Sequence, residues 1–476
     1  VNTTEDISFR DHLPTADQKT GQRIWIYPRQ PSGRFYRARS WLGWFLLVLL
    51  FVGPFIRIHG NPLLMMNLVE RRFSVFGVLF WPQDFYLFAL MLVTAFIMIV
   101  LFTAVFGRVW CGWLCPQTVL MELVFRKIEY LIEGDASEQR RLHDAPWTGG
   151  KIFKKALKHG VFFALSFLIG NWLLMYIIGS EAWIKLVTDH PLNHLPGLTA
   201  MIAFTAVFYG IFSRFREQAC TFICPYGRFQ SVLLDDNSIV VAYDHKRGEP
   251  QQRYSKLQPY EQRKAEGIGD CINCRLCVEV CPTGIDIRNG TQMECVNCTA
   301  CIDACDSVMD RLKFPRGLVR YASNNGITRG ERLKITPRIV GYTVVLCILT
   351  GLLAFFLTTR TEVETNLLRA PGTLYQTQPN GEISNLYLVK LMNKTTREIP
   401  VELRLEKPAG HLQIAGQALV APPRGLAESA VIISLAPDAL TQPSLPIEVG
   451  VYHEGRKLKS LKTNFLGPSP AGNETP

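Results

Sequence analysis

The chain has 476 residues, 48% of them hydrophobic, and carries 51 Lys and Arg against 40 Asp and Glu, a formal charge of +11. So apolar a chain with so much positive charge argues against an ordinary soluble domain and for apolar spans separated by basic loops. The charge reads as membrane topology and attraction to anionic lipid headgroups; no aromatic–basic stripe accompanies it that would speak for nucleic acid.

Residues 1–40 read as a flexible basic arm, with Pro28-Arg29-Gln30-Pro31-Ser32-Gly33 as a linker and no signal-peptide core. Five stretches then have the length and hydropathy of a membrane helix: about Trp41–Ile58, Asp84–Gly107, Gly160–Gly179, Pro196–Phe212 and Arg338–Thr358. Lysine and arginine alternate across them. Seven lie in the tail to Ser40, two between His59 and Gln83, eight between Val109 and His159, only Lys185 between Ser180 and Leu195, and nineteen from Arg214 to Arg338. The positive-inside rule therefore predicts a cytoplasmic N-terminus, a cytoplasmic loop between spans four and five, and an external tail after Thr358.

Span two runs into "RVWCGWLCP", residues 108 to 116, and span four into "QACTFICP", residues 218 to 225. Each has the form Cys-x-x-x-Cys-Pro, giving the thiol pairs Cys111/Cys115 and Cys220/Cys224. Residues i and i+4 of a helix share a side, and a following proline disfavours helix for the second cysteine while starting the next helix well. After the first motif, Leu120, Leu123, Val124, Ile128 and Leu131 predict an amphipathic helix over Gln117–Glu133 on the inner membrane surface. Phe229, Val232 and Leu233 follow the second motif in the same way. A lone cysteine in an apolar helix is commonly a small filler. Recurrence at equivalent places in both halves favours a shared redox or metal site: a copper site, a site for another metal, or redox-active thiols. His190 and His194 read as surface histidines, Met65-Met66 as packing, and Trp110 and Trp113 as an aromatic belt.

The loop between spans four and five opens with "SIVVAYD", residues 238 to 244, a predicted short strand. Its centre is "CINCRLCVEVCP", from Cys271, and "CVNCTACIDACD", from Cys295. Both follow Cys-x2-Cys-x2-Cys-x3-Cys, the run of bacterial two-cluster ferredoxins, in which the fourth cysteine serves the other cluster. Crossed delivery assigns Cys271, Cys274, Cys277 and Cys305 to one [4Fe-4S] cluster, and Cys295, Cys298, Cys301 and Cys281 to a second. A zinc ribbon needs only two cysteine pairs and leaves the third and fourth cysteine of each repeat unexplained. Asp306 stands where the first repeat has Pro282, a change of backbone stiffness and not of ligand set. Of the 13 cysteines, all but Cys347, inside span five, fall on the predicted cytoplasmic side, where disulfides are rare.

Beyond span five, "SNLYLVKLMN", "PVELRLE", "SAVIISLA" and "PIEVGVYHEG" alternate apolar and polar residues between turn signals such as Asn380-Gly381 and Glu454-Gly455. They predict an all-β sandwich with no evident catalytic cluster, an interaction or stabilising module.

Five spans, two Cys-x-x-x-Cys-Pro motifs, a double ferredoxin core and a terminal β-domain together resemble the FixG/CcoG family of cytochrome c oxidase accessory proteins. Phe80-Trp81-Pro82-Gln83-Asp84, Ala242-Tyr243-Asp244 and Arg247-Gly248-Glu249-Pro250 resemble it too. The resemblance implies a multi-domain membrane protein: a cytoplasmic arm (1–40), a four-helix membrane region (41–235), a cytoplasmic ferredoxin-like double [4Fe-4S] domain (236–336), a fifth membrane helix (337–358) and a periplasmic immunoglobulin-like β-sandwich (359–476). It implies residence in the bacterial inner membrane and cupric reduction during assembly of cbb3-type oxidase, with Cys111, Cys115, Cys220 and Cys224 as the expected copper site. Expected partners are membrane lipid, oxidase subunits or copper chaperones, a cytoplasmic electron donor and, left open, a second copy of the chain; nucleic acid is not among them. Two other readings stay open. One is a quinol-oxidising electron-transfer subunit, since the core is similar to polyferredoxins that feed nitrate reductases, and the other is a non-catalytic assembly scaffold.

Overall fold

The computed structural model describes residues 20, 22–58, 60–67, 72–81, 84–255, 258–331, 334–361, 363–372, 374–395, 397–415, 419–423 and 425–468. Most of the expected basic arm, and Pro82-Gln83, lie outside them. The chain divides into two compact units, one of 1–58 with 62–353, the other of 354–476 with 59–61.

Among the described residues, five helices are long and apolar enough to cross a membrane: Arg34–Phe55, Phe85–Phe106, Gly149–Ile178, Leu195–Phe215 and Pro337–Thr358. Two of them start earlier than hydropathy predicts, and both extensions have a tertiary cause. Span 1 begins at Arg34 because the carboxylate of Asp303 accepts the backbone N–H groups of Phe35 and Tyr36, at 3.1 and 2.7 Å. Those are orphan donors of a helix N-terminus, and Gly33 at the cap position has no side chain to take them. Just ahead of it, Arg29 N–H donates to Glu279 O at 2.8 Å, and Tyr130 Oη donates to Pro28 O at 3.1 Å.

Span 3 starts at Gly149, so its first turns carry Lys151, Lys155 and Lys158. Lys155 Nζ lies 2.8 Å from Glu133, and Lys158 Nζ lies 2.9 Å from Glu133 and 3.4 Å from Glu129. Glu129 also pairs with Arg216, and Arg126 with Glu122 at 2.9 Å. These acids come from the stretch expected to lie amphipathically on the membrane, and the structure corrects that expectation. Pro116–Leu120, a π-helical Met121–Phe125 and Arg126–Glu133 run on from one another. Leu120, Leu123 and Phe125 pack with Leu47, Phe162 and Phe212 between spans 1, 3 and 4. The buried side then becomes charged, with Arg126 2%, Glu129 2% and Glu133 1% exposed, while Leu131 is 84% exposed. Ion pairing lets these charges be buried.

Burial alone would raise the pKa of Glu129, but Arg216, Lys158 and Arg126 outweigh it and hold the carboxyl below its ordinary value. The stabilisation is therefore complete above the ordinary carboxylate pKa and is lost as pH falls through the depressed folded value. Glu129→Ala leaves buried cations uncompensated and is expected to cost about 3–5 kcal/mol. Thermal unfolding in detergent checks both statements. The melting temperature falls in the variant at neutral pH, and the gap to the parent closes in acid.

The segment between spans 4 and 5 is closed by a two-stranded ribbon. Val240–Tyr243, the predicted strand, pairs antiparallel with Val319–Ala322, Val241 opposite Tyr321. Val241, Tyr243, Ile285, Ile287, Ile302 and Leu318 form part of its core.

In the second unit, an antiparallel sheet runs in the order His411–Ala415, Leu426–Leu435, Ile383–Asn393, Val363–Arg369, with Gln376–Thr377 also on Ile383–Asn393. A second sheet orders Glu402–Lys407, Ser444–His453 and Arg456–Leu466. Tyr387, Val389, Leu391, Val431 and Ile433 of the first sheet share a core with Ile447, Val449, Val451 and Phe465 of the second. Each set lies at every other position, so alternation puts one face of each strand into the sandwich.

Candidate metal centres

The two cysteine repeats fold alike down to single backbone angles. In the first, Asn273 and Arg275 have φ of 55° and 61°; in the second, Asn297 and Thr299 have φ of 53° and 66°. Asparagine enters this region with little cost, whereas β-branched Thr299 there is strained. Left-handed residues on both sides of the second cysteine curl each loop around a common centre. Arg275 and Thr299 then cap the helices Leu276–Glu279, which carries Cys277, and Ala300–Leu312, which carries Cys301 and Cys305.

One cavity, of about 390 Å3 with the solvent at its mouth included, is lined by Cys271, Cys274, Cys277 and Cys305. Another, of about 340 Å3, is lined by Cys281, Cys295, Cys298 and Cys301, and by Cys277, which lines both. The fourth cysteine of each repeat thus lies with the first three of the other. Among the described residues no group of three or more His, Cys, Asp or Glu is placed to hold a metal ion. The arrangement suits a cubane, whose four thiolates bind four different irons. Soft donors and buried, mostly apolar walls fit an iron–sulfur cluster, and the residues present fit two. Burial pushes the Cys295 thiol to about 12 and the Cys298 thiol to about 11, so cluster assembly must displace their protons. Second contacts are in place: Thr283 Oγ1 lies 3.4 Å from Cys281 Sγ, and Tyr243 Oη bonds both Cys271 and Glu249.

The thiols of the Cys-x-x-x-Cys-Pro motifs stand directly beside this segment. The helix Val109–Trp113 ends before Cys115, and Cys220 lies in the π-helical turn Ala219–Ile223. Cys115 and Cys224 are both extended and cap the helices begun by Pro116 and Pro225. The expected α-helical i, i+4 pair is therefore replaced in both copies by a wider turn. Cys115 N–H donates to Trp110 O at 3.0 Å and Cys224 N–H to Ala219 O at 2.9 Å, each five residues back.

All four thiols are electrostatic neighbours. Burial, with the other thiols adding to it, pushes Cys220 up to about 12; Cys111 is pushed to about 11 despite its bond to Gln230. Gln230 Nε2 lies 3.1 Å from Cys111 Sγ and is fully buried. Among the described residues they do not form a group of three or more ligands that could hold one metal ion.

Arg108 clamps the halves together, donating to Gly227 O at 2.7 Å and also to Met293 O. A Cβ on Gly112 would sit 2.4 Å from Val296 O and 2.9 Å from Asn297 O, and Cys111 packs against Val280, Val296, Cys298 and Ala300. The thiol motif and the loop of the second cavity are in backbone contact. Sequence reasoning missed Gly112, Gln230, Asp303 and the left-handed residues; of these, only the asparagine shared by Asn273 and Asn297 leaves a signal, through comparison of the repeats. His190 and His194 stay apart from all of this, His194 bonded to Asp189 at 2.8 Å.

Comparison with known proteins agrees with this architecture. Residues 215–324 match a family described as a 4Fe-4S dicluster domain, 88–133 a 4Fe-4S binding domain, and 353–468 the IG-like fold at the C-terminus of FixG. The nitrogen fixation protein FixG of Rhizobium meliloti is 34% identical over 94% of this chain and 90% of its own. The chain belongs to the FixG family. This FixG-family protein is also 35% identical to protein RdxA of Cereibacter sphaeroides, over 81% of this chain and 83% of RdxA. To RdxB of the same organism it is 35% identical over 78% and 79%. It is a membrane iron–sulfur protein with an immunoglobulin-like terminal domain.

Proposed function

We propose that this FixG-family protein is a membrane-bound cupric reductase that supplies Cu(I) during assembly of a cbb3-type cytochrome c oxidase. The observation that carries this reading is the contact of the Cys111 motif, through Gly112, with the Val296–Asn297 backbone of the second cysteine repeat. Cys271, Cys274, Cys277 and Cys305 would hold one cluster and Cys281, Cys295, Cys298 and Cys301 the other. When bound, the clusters supply single electrons from a cytoplasmic donor. Cu(II) takes one electron and becomes Cu(I), which soft thiolates hold well.

The chain's own residues prepare that step. The Cys-Pro breaks at Cys115 and Cys224 bring both thiol pairs to the ends of their turns. Arg108 fixes the two motifs against each other, and Gln230 orients Cys111. In this reading the thiols and the clusters face the cytoplasm, the β-domain is periplasmic and contacts oxidase subunits, and the Cu(I) passes to a chaperone or to the oxidase itself.

The test uses the purified, cluster-loaded protein, reduced and then mixed with Cu(II) and a Cu(I)-specific chelator. Clusters re-oxidise and Cu(I) appears in the parent and in Cys347→Ala. In Cys111→Ala and Cys220→Ala the rate drops at least about tenfold, more than about 1.4 kcal/mol of barrier. Full copper turnover in both variants removes copper from these thiols. Re-oxidation by a quinone analogue but not by Cu(II) transfers the function to quinol chemistry, and normal oxidase assembly in Cys274→Ala and Cys298→Ala leaves only a scaffold.

A further inference from the structure

Span 1 is seated on the cluster-bearing segment by the Asp303 carboxylate, which caps its first turn, and by Phe35, which packs into the core beside Tyr321. One helical turn on from Phe35, and on the same side, comes Arg39. Arg39 is 3% exposed, and its Nη2 is buried without a hydrogen-bond partner. A guanidinium left so is costly unless an anion faces it. Glu122, which with Arg39 acts on Tyr36, is already held by Arg126 at 2.9 Å. Tyr321, on which Phe35 packs, donates to Asn297 O at 3.4 Å, in the wall of the second cavity next to Cys298, and Arg39 acts on Cys298 in turn.

Arg108, 5% exposed, stands by Cys295 of the same cavity, but its Nη1 and Nη2 are committed to Met293 O and Gly227 O. At the first cavity the cations are spent or solvated: Arg288 pairs with Asp286 at 2.5 Å, and Arg275 is exposed. A cluster with four thiolates is anionic and gains one further negative charge on reduction. Net charge and burial around a cluster set its potential, and a fixed cation counts for most where water is excluded.

We infer that Arg39 is the counter-charge of the cluster held by Cys281, Cys295, Cys298 and Cys301, stabilises its reduced form and so raises its reduction potential. The inference rests on the two-cluster reading. The cluster takes one electron from the donor, and no bond forms or breaks. Cys274, of the first cavity, is the exposed thiol among the eight cluster cysteines, and Cys111 adjoins the second cavity. A higher potential at the second cluster draws an electron entering near Cys274 toward the motif thiols.

The experiment is a dithionite titration of the full-length protein in detergent, with both clusters loaded and followed by electron paramagnetic resonance. About eight irons per chain and two cluster signals in the parent establish the two-cluster reading first; a single signal ends that reading and this inference with it. With two signals present, Arg39→Gln is expected to lower the midpoint of one of them by at least a tenfold change in its one-electron equilibrium, about 59 mV. The other signal stays in place, and Arg39→Lys, which keeps the charge, shifts less. Glu122→Gln removes a negative charge that acts on Cys298 and is expected to move the same midpoint upward. Unchanged midpoints in Arg39→Gln, or equal shifts of both signals, overturn the inference. Should Arg39→Gln fail to hold iron, Glu122→Gln decides alone, and no shift or a downward one overturns it.

Discussion

Replacing Cys281 with alanine is expected to remove the same iron–sulfur signal as replacing Cys295, and to spare the signal that depends on Cys271. Cys281 belongs to the run that begins at Cys271, yet ferredoxin-type spacing assigns it to the cluster of the other run. The cavity walls run the same way. Cys281 lines the cavity of Cys295, Cys298 and Cys301, while Cys305 lines that of Cys271, Cys274 and Cys277. Each alanine variant should fall from about eight irons per chain to about four. Paramagnetic resonance of the reduced variants distinguishes the surviving cluster by its line shape and midpoint. Pairing of Cys281 with Cys271 in that comparison would refute crossed delivery. The effect on copper reduction is expected to be complete in both classes, because electrons must pass both centres. Cys347→Ala, far along the chain in span 5, should match the parent.

Gly112→Ala is the second change with a large expected effect, and it touches no sulfur. The added Cβ would lie 2.4 Å from Val296 O, a backbone atom that cannot swing aside as a side-chain tip can. Either the Cys111 turn or the loop before Cys298 must therefore move. A displacement on the order of 1 Å at a reacting pair can cost about 100-fold in rate. The expected result is a protein that keeps both clusters and its iron, yet is oxidised by Cu(II) at least tenfold more slowly, about 1.4 kcal/mol in barrier. Gly160→Ala, where nothing lies within 4 Å, serves as the control and should be neutral. Parent-like copper rates in Gly112→Ala would show that the contact carries no electrons.

How much of this could be read from the residues depends on the range of the interaction involved. The membrane helices are legible because transfer into hydrocarbon is summed over consecutive residues; spans 2 and 5 fall within a residue of their expected limits, Phe85–Phe106 and Pro337–Thr358. Span 1 is misjudged at its start because its cap, Asp303, is far along the chain. Span 3 is misjudged because Lys155 and Lys158 look like a solvated flank until Glu129 and Glu133 are seen beside them. The same blindness places Gln117–Glu133 on the membrane surface, when it is packed between spans and its buried side ends in charge.

By itself the sequence determined which thiols are candidates and that they come as two runs and two pairs. Ligand spacing, alternation and apolar length are all local properties of consecutive residues. Only the tertiary structure decided that the Cys111 motif lies against Val296 through a glycine. It alone also buried Arg39, one helical turn beyond the Phe35 that packs on Tyr321. Close approach between distant segments depends on what each must bury or pair, and neither spacing nor composition records that.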